Sequence, residues 1–351
     1  MEITDGMSED EKYMSRCIQL AKNGLGSVSP NPLVGAVIVC DGKIIGEGYH
    51  VCCGCEHAEV NAVYSVDDAA LLHRSTLYVT LEPCSHYGKT PPCADMIVSK
   101  QIPRVVIGCE DPSSKVSGRG IKKLRDAGVE VRVGVLETEC KWLIRRFTVF
   151  NGLKRPYVIL KWAESADGFM DYKREGGKPV VLSNPLTTML VHKKRTEADA
   201  IMVGTRTALL DNPSLTVRNW YGKNPVRIVL DRNLSLPAEL ILFDGAVKTL
   251  VFTEKERLSR NNVEYLKVNF EGDLLVDIMH ALFQRDVQSL LVEGGSMLLQ
   301  SFIDKGLWDE IYIEKSPLEL HDGIKAPVQT EWGGYFPDSI WNAHIYHIVR
   351  K

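Results

Sequence analysis

Between Glu82 and Cys93 the chain reads EPCSHYGKTPPC, two thiols with eight residues between them, and upstream of it lies CEHAEVNAVYS, with His57 two positions before Glu59. One imidazole and two thiolates are a zinc-type donor set. Zinc takes nitrogen and sulfur tetrahedrally; three protein ligands and an open corner make a catalytic site, and four protein ligands make a closed structural one. Both ligand segments run into predicted helix starts: His57 sits in a first turn, and Cys93, directly after Pro91-Pro92, opens a helix whose unpaired N–H groups favour a thiolate. Glu59 lies about 200° around an ideal helix from His57, so it is off the ligand face and free for other work. Two thiolates offset the metal charge and acidify a bound water less than imidazoles would. A carboxylate that takes the water's proton and hands it to a leaving group completes a hydrolytic set suited to deamination. The order H-A-E, P-C, C is that of zinc deaminases of nucleobases, here with a wider gap between the cysteines. The competing reading is a structural zinc closed by Cys53 or Cys55. A fourth ligand would leave Glu59 without a task, so Cys52, Cys53 and Cys55 are read as loose thiols.

The elements that must position these residues are legible on either side. Ser8 and Glu11 form a capping box for a helix over 8–24 with apolar residues at Met14, Cys17, Ile18 and Ala21. LVGAVIVC and KIIGEGY flank Asp41-Gly42, a two-residue hairpin signal. Helix candidates at 57–66, 93–100 and 121–127 then alternate with the short apolar strands TLYVTL, RVVIGC and VEVRVG, the signature of a layered α/β domain. A helix ends near Asn151-Gly152 and RPYVILKW starts a new strand, which divides the chain into domains 1–148 and 149–351. Beyond it AIMVG, VRIVL, TLVF, SLLVE and EIYIE read as strands of a second α/β domain.

The 351 residues are 44% hydrophobic and 25% charged with net charge −3, a globular composition long enough for about two domains. No apolar run approaches the roughly 20 residues of a membrane span. The start, MEITDGMSEDEKY, is acidic where a signal peptide would be basic, so a cytoplasmic protein is expected. Nine cysteines, clustered and odd in number, point to metal or thiol chemistry in a reducing compartment. The absence of a basic block argues against a polyanion partner.

In the second half the residues speak less clearly. LLVEGGSMLLQSFI is a strand running into Gly294-Gly295 and a helix, which could offer N–H groups to a phosphate or be only a turn. AIMVGTRTALLDNPSLTVR brings Arg206, Thr207, Asp211 and Arg218 onto one strand-to-loop passage, with a solvated loop as the alternative.

Taken together, PNPLVGAVIV, GEGYH, HAEVNAV, TLEPCSHYGKTPPC and GCEDPSSKVSGRGI, spread over about residues 8–146, closely resemble the deaminase half of the bifunctional riboflavin-biosynthesis deaminase/reductases. RPYVILKWAESADG, VHKKRTEADAIMVGTRTALLDNPSLTVR, PVRIVLD and LLVEGGSMLLQSFIDKGLWDEIYI resemble the reductase half. The resemblance implies an N-terminal cytidine-deaminase-like three-layer α/β/α domain and a C-terminal dihydrofolate-reductase-like α/β domain. It also implies one zinc held by His57, Cys84 and Cys93, with Glu59 as proton shuttle and NADPH as the reductant. By the same resemblance Asn31, His50, His86, Lys89 and Asp111 hold the pyrimidine or its ribose phosphate. On the residues alone, Asn31 between prolines could be a turn residue, Lys89 a solvated charge and His50 a packed or surface imidazole. In the reductase half Ala163, Thr207, Asp211, Gly295 and Ser296, within the turn running on to Ser301, would contact the cofactor. Lys161, Arg195, Leu215, Arg218 and Glu293 would face the ribose-phosphate substrate, the two arginines its phosphate.

Two blocks depart from the family pattern. Pro179–Ser183, PVVLS, lacks a customary Trp and Ser that touch cofactor and substrate, and SPLELHDGIKAP lacks a customary glycine. Two rival classes stay open at this stage: a nucleic-acid deaminase of the tRNA adenosine type with an appended domain, and a structural zinc module joined to a nucleotide-sensing domain. The family commonly forms homo-oligomers, and a small pyrimidine ribose phosphate, with no nucleic acid and no membrane, is the expected partner.

Overall fold

The structure is a computed structural model describing residues 6–85, 91–112, 117–329, 334–340 (backbone) and 343–350. It divides into two compact units, Met1–Lys154 and Arg155–Lys351. The first contains α1 (Glu9–Ala21), β1 (Gly35–Cys40), β2 (Lys43–Tyr49), α2 (Ala58–Tyr64), β3 (Thr76–Leu81) and α3 (Cys93–Ser99). It continues with β4 (Arg104–Cys109), α4 (Arg119–Asp126), β5 (Glu130–Val133), α5 (Glu137–Leu143) and α6 (Arg145–Leu153). The Ser8/Glu11 capping box is formed. Asp41 and Gly42 both adopt positive φ, at 50° and 73°, as a tight hairpin between β1 and β2 requires.

Strand order is β2-β1-β3-β4-β5. β1 is antiparallel to β2 and β3, and β3, β4 and β5 run parallel. One face buries Ala58, Ala62, Ala94, Ile97, Ile121 and Leu124 from α2, α3 and α4. The other buries Met14, Cys17 and Leu20 of α1 with Cys140 of α5. A helical layer on each side makes three layers, because these short β-branched strands are apolar on both faces. Gly48 lets β2 lie directly on α2: a Cβ there would meet the Ala58 carbonyl oxygen at 2.5 Å and the Ala62 nitrogen at 2.4 Å.

The second unit opens with β6 (Tyr157–Glu164), β7 (Phe169–Asp171), α7 (Pro185–Glu197), β8 (Ala200–Val203), α8 (Thr205–Asp211) and β9 (Val226–Leu230). β10 (Thr249–Thr253), β11 (Val263–Lys267), α9 (Leu274–Phe283), β12 (Ser289–Gly294), α10 (Ser296–Asp304) and β13 (Glu310–Lys315) follow, then β14 (Ile324–Lys325), β15 (Gly334–Ile340) and β16 (Ala343–Val349). The main sheet has nine strands in the order β11-β10-β9-β8-β12-β6-β13-β16-β15, and β7 pairs with β14 in a separate ribbon. β11 through β13 in that order are mutually parallel, and β16 and β15 are antiparallel additions. α9 and α10 cover one face through Ile278, Leu282, Leu299 and Phe302.

Candidate active sites

His57 is the N-cap of α2, just before the helix and not within its first turn. Cys93 is the first residue of α3, whose N-cap is Pro92. Cys84 lies in the segment after β3 and accepts the Cys93 backbone N–H at 3.3 Å. The three side chains converge: Cys84 Sγ and Cys93 Sγ lie 3.6 and 3.3 Å from His57 Nδ1, and all three donor atoms fall within 4.8 Å of one another. Tetrahedral zinc with ordinary Zn–N and Zn–S bonds has a nitrogen-to-sulfur edge of about 3.6 Å, so the donor set fits that ion.

The electrostatics of the cluster say the same. The hydrogen bond from the Cys93 thiol, together with His57, pulls Cys84 down to about 4, and the same bond and burial push Cys93 far up. Two thiols thus share one proton, which a divalent cation would displace. His57 is raised by its contact with the Cys84 sulfur. Glu59, the second residue of α2, is 3% exposed, and burial pushes its carboxyl up to about 7, against the pull of His57. It lies beside Cys93 and takes no part in the donor triangle.

His57, Cys84 and Glu59 line a cavity of about 540 Å³ with Asn31, His50 and Asp111. Asn31 Nδ2 approaches His50 Nε2 at 3.0 Å while His50 Nδ1 approaches the Glu56 carbonyl oxygen at 2.9 Å. The carbonyl can only accept, so it fixes the proton on Nδ1 and leaves Nε2 to accept from the amide. Burial keeps that ring below the usual histidine range. His86 and Lys89 lie outside the described residues.

Two features differ from the sequence reading. Cys52 and Cys55 are joined by a disulfide, with only Cys53 free and exposed. Gly54, at φ 86°, turns the loop so that Cys55 N–H bonds to the Cys52 carbonyl at 3.0 Å and their Cα atoms come to 5.5 Å. Glu82 was missed. It is buried on the cavity wall and accepts the N–H groups of Asp111, Gly118, Gly120 and Ile121 at 2.8–3.3 Å, tying Asp111 and the start of α4 to the end of β3. Its signal was a carboxylate in the apolar run TLEP, immediately before the ligand cysteine. Gly120 is required there, because a Cβ would come 2.0 Å from the Pro83 carbonyl oxygen.

In the second unit Thr207, Asp211, Gly295, Ser296 and Glu293 line one cavity of about 910 Å³, while Ala163, Lys161, Arg195, Leu215 and Arg218 are not on its wall. Gly295 is the N-cap of α10 and no side chain caps it, so no side chain takes up the first N–H groups of that helix. Arg195 is committed: it makes a two-pronged pair with Glu293, at 3.0 and 2.6 Å, and donates to the Thr216 carbonyl at 3.0 Å. The Glu293 side chain is only 9% exposed, which would raise its carboxyl, yet Arg195 holds it below the usual range. The Arg218 guanidinium meets Ser214 and Thr216, and its backbone N–H donates to His192 Nδ1 at 3.0 Å. Leu215 is buried in a left-handed conformation, φ 51°. Lys161 Nζ stands 3.7 Å from Glu314 Oε2. In the departing block, Val181 is 76% exposed and Ser183 donates to Glu314 at 2.7 Å.

Residues 7–109 match the cytidine and deoxycytidylate deaminase zinc-binding region, and residues 156–322 match the RibD C-terminal domain. The chain is 40% identical over 322 residues to riboflavin biosynthesis protein RibD of Aquifex aeolicus, covering 90% of this chain and 89% of that one. The Escherichia coli RibD is 35% identical, with 88% of each chain covered. The chain belongs to the RibD family. Among solved structures it is similar to a diaminohydroxyphosphoribosylaminopyrimidine deaminase/5-amino-6-(5-phosphoribosylamino)uracil reductase of Thermotoga maritima, at TM-score 0.88 and 38% identity over 97% of this chain and 98% of the other. Acinetobacter baumannii RibD superposes at TM-score 0.87 and 31% identity with the same coverages. The cytidine-deaminase-like first half and reductase second half expected from the sequence are the fold of this family.

Proposed function

We propose that the first unit removes the exocyclic amino group of a diaminopyrimidinone ribosylamine phosphate by hydrolysis, and that the second reduces the ribose of the product to a ribityl chain with NADPH. The chain is thus a bifunctional enzyme of riboflavin biosynthesis. The observation that carries the reading is the convergence of the His57, Cys84 and Cys93 donor atoms within 4.8 Å, with the buried carboxylate of Glu59 beside them in one cavity.

His57, Cys84 and Cys93 hold the zinc in this proposal, and the ion supplies the Lewis acidity that makes water nucleophilic at neutral pH. Glu59, held near neutrality by burial, accepts a proton from the attacking water and returns it to the departing amino nitrogen, which leaves as ammonia. Asn31 and His50, locked to each other, present fixed polar atoms to the base. Asp111 is tethered to Glu82 through its backbone N–H and lines the same cavity. His86 and Lys89 are assigned to the ribose phosphate by family resemblance.

In the second unit NADPH supplies the hydride, and the protein contributes orientation. Thr207, Asp211, Gly295 and Ser296 hold the cofactor in the larger cavity, and Ala163, off its wall, is assigned to the cofactor by family resemblance. Lys161, Leu215, Arg218 and the Arg195–Glu293 pair hold the sugar phosphate. Assembly as a homo-oligomer without nucleic acid, in the cytoplasm, belongs to the same proposal and rests on family resemblance and on a net charge of −3 with no basic block. A one-pot assay with the pyrimidine phosphate, following ammonia and NADPH separately, tests both halves. Ammonia release followed by NADPH consumption is expected, and ammonia release with no NADPH consumption would remove the reductase half.

A further inference from the structure

The cofactor cavity of the second unit is lined by three cationic side chains, Arg174, Arg206 and Lys305, against five carboxylates, Asp171, Asp211, Asp273, Glu293 and Asp304. A phosphate group therefore enters it only where an uncommitted cation meets it, because the field of the remaining wall is repulsive. Two of the three cations are already spent. Arg174 is held between Asp171, at 2.6 Å from its Nε, and Asp211, which its Nη2 contacts. Lys305 pairs with Asp273 at 2.9 Å.

Arg206, in the first turn of α8, is different. It is exposed, and its one hydrogen bond is from Nη2 to the Arg174 carbonyl at 2.9 Å, a neutral acceptor that fixes the side chain without cancelling its charge. Among the described residues it forms no ion pair with a carboxylate. The bond leaves the other guanidinium nitrogens free, and a fork of N–H groups matches phosphate oxygens in two-pronged geometry. Asp211, the anionic group on the same short helix, is paired with Arg174 and makes no ion pair with Arg206.

We propose that Arg206 is the specificity-determining residue of the reductase cavity, binding the phosphate that distinguishes the phosphorylated from the unphosphorylated nicotinamide dinucleotide. Gly295 and the uncapped start of α10 are left to the part common to both dinucleotides. The assignment explains the charge layout: Arg174 is a structural counter-ion to two aspartates, and Arg206 is the ligand-facing cation. It rests on the reductase reading of the second unit.

The test is equilibrium binding to the full-length, zinc-loaded chain, by titration calorimetry with NADPH, NADH, adenosine 2′,5′-bisphosphate and adenosine 5′-monophosphate. The parent is expected to prefer each 2′-phosphorylated ligand. Arg206→Gln should weaken those two by about tenfold or more, the scale of a lost charged hydrogen bond, while NADH and the monophosphate shift less than about twofold. Arg206→Lys, which keeps the charge but not the fork, should recover part of the difference. Unchanged discrimination in Arg206→Gln, or an equal loss for all four ligands, would overturn the assignment and leave the reductase reading intact. A parent chain that binds neither dinucleotide would overturn both.

Discussion

The two sites of this chain are built in opposite ways. In the first unit the reactive groups come from two helix starts and the segment after β3, and they meet with charges unspent: a shared thiol proton, a buried acid near neutrality and an imidazole. In the second unit charged groups from distant strands and helices are largely matched to each other before any ligand arrives, as Arg195 is to Glu293 and Arg174 to Asp171 and Asp211. The difference follows from where the chemistry resides. Hydrolysis needs an ion and a proton carrier that the chain itself must hold, whereas hydride transfer belongs to the cofactor, and the protein supplies only a shaped and charge-ordered wall.

The sharpest way to break this contrast is Glu59→Gln. Ammonia release should fall by about a thousandfold, within the range for a lost general acid–base group. Bound zinc should be retained, and NADPH consumption on already deaminated substrate unchanged. Persisting ammonia release would take the proton-carrying role from Glu59, and a matching loss in both assays would show that the two sites are not independent in the way their construction implies.

The second unit is probed by Glu293→Gln. Leaving Arg195 buried without its carboxylate should cost about 3 kcal/mol of stability and raise KM for the sugar phosphate, with ammonia release untouched. A neutral outcome in thermal unfolding and in KM would mean that the pair is not what orders that wall.

Glu82→Gln asks how much of the first cavity depends on a residue with no reaction role. Four backbone N–H groups lose a charged acceptor, so a loss of about 2 kcal/mol is expected, seen as an earlier melting transition and a higher deaminase KM at unchanged zinc content. An unchanged transition would remove Glu82 as the anchor of Asp111 and of the start of α4.

The smallest effect concerns pH. Burial, then Arg195 and Arg218, hold His192 below the usual histidine range, and its Nδ1 accepts the Arg218 N–H. With the folded value below the unfolded one, the stabilisation is complete above about pH 6.5 and is lost as pH falls through the folded value. His192→Asn, which does not titrate, should flatten that part of the acid limb of unfolding. An acid limb identical in slope would exclude His192 as its source.

The same contrast explains what the sequence made legible. The capping box at Ser8, the Asp41-Gly42 hairpin and the starts of α2 and α3 are written in neighbouring residues, so local chemistry reveals them. So is the donor triad, because cysteine, histidine and glutamate at tight spacing have few other uses. β7, β11 and β14 are too short or too polar to stand out, and their pairing comes from the fold. The Arg195–Glu293 pair spans 98 positions and Glu82 acts on backbone groups, so neither leaves a pattern of side-chain types. The Cys52 and Cys55 thiols read as loose because they fall outside the ligand motif, although Cys-x-x-Cys is a spacing at which thiols pair; Gly54, at positive φ, sits in the turn between them.

Zinc-edge X-ray absorption of the purified, metal-loaded chain reaches the centre of the account most directly. A first shell of two sulfurs, one imidazole nitrogen and one further light atom that exchanges with small anions is the expected result. A shell of three or four sulfurs, or four protein donors that no anion displaces, would contradict it.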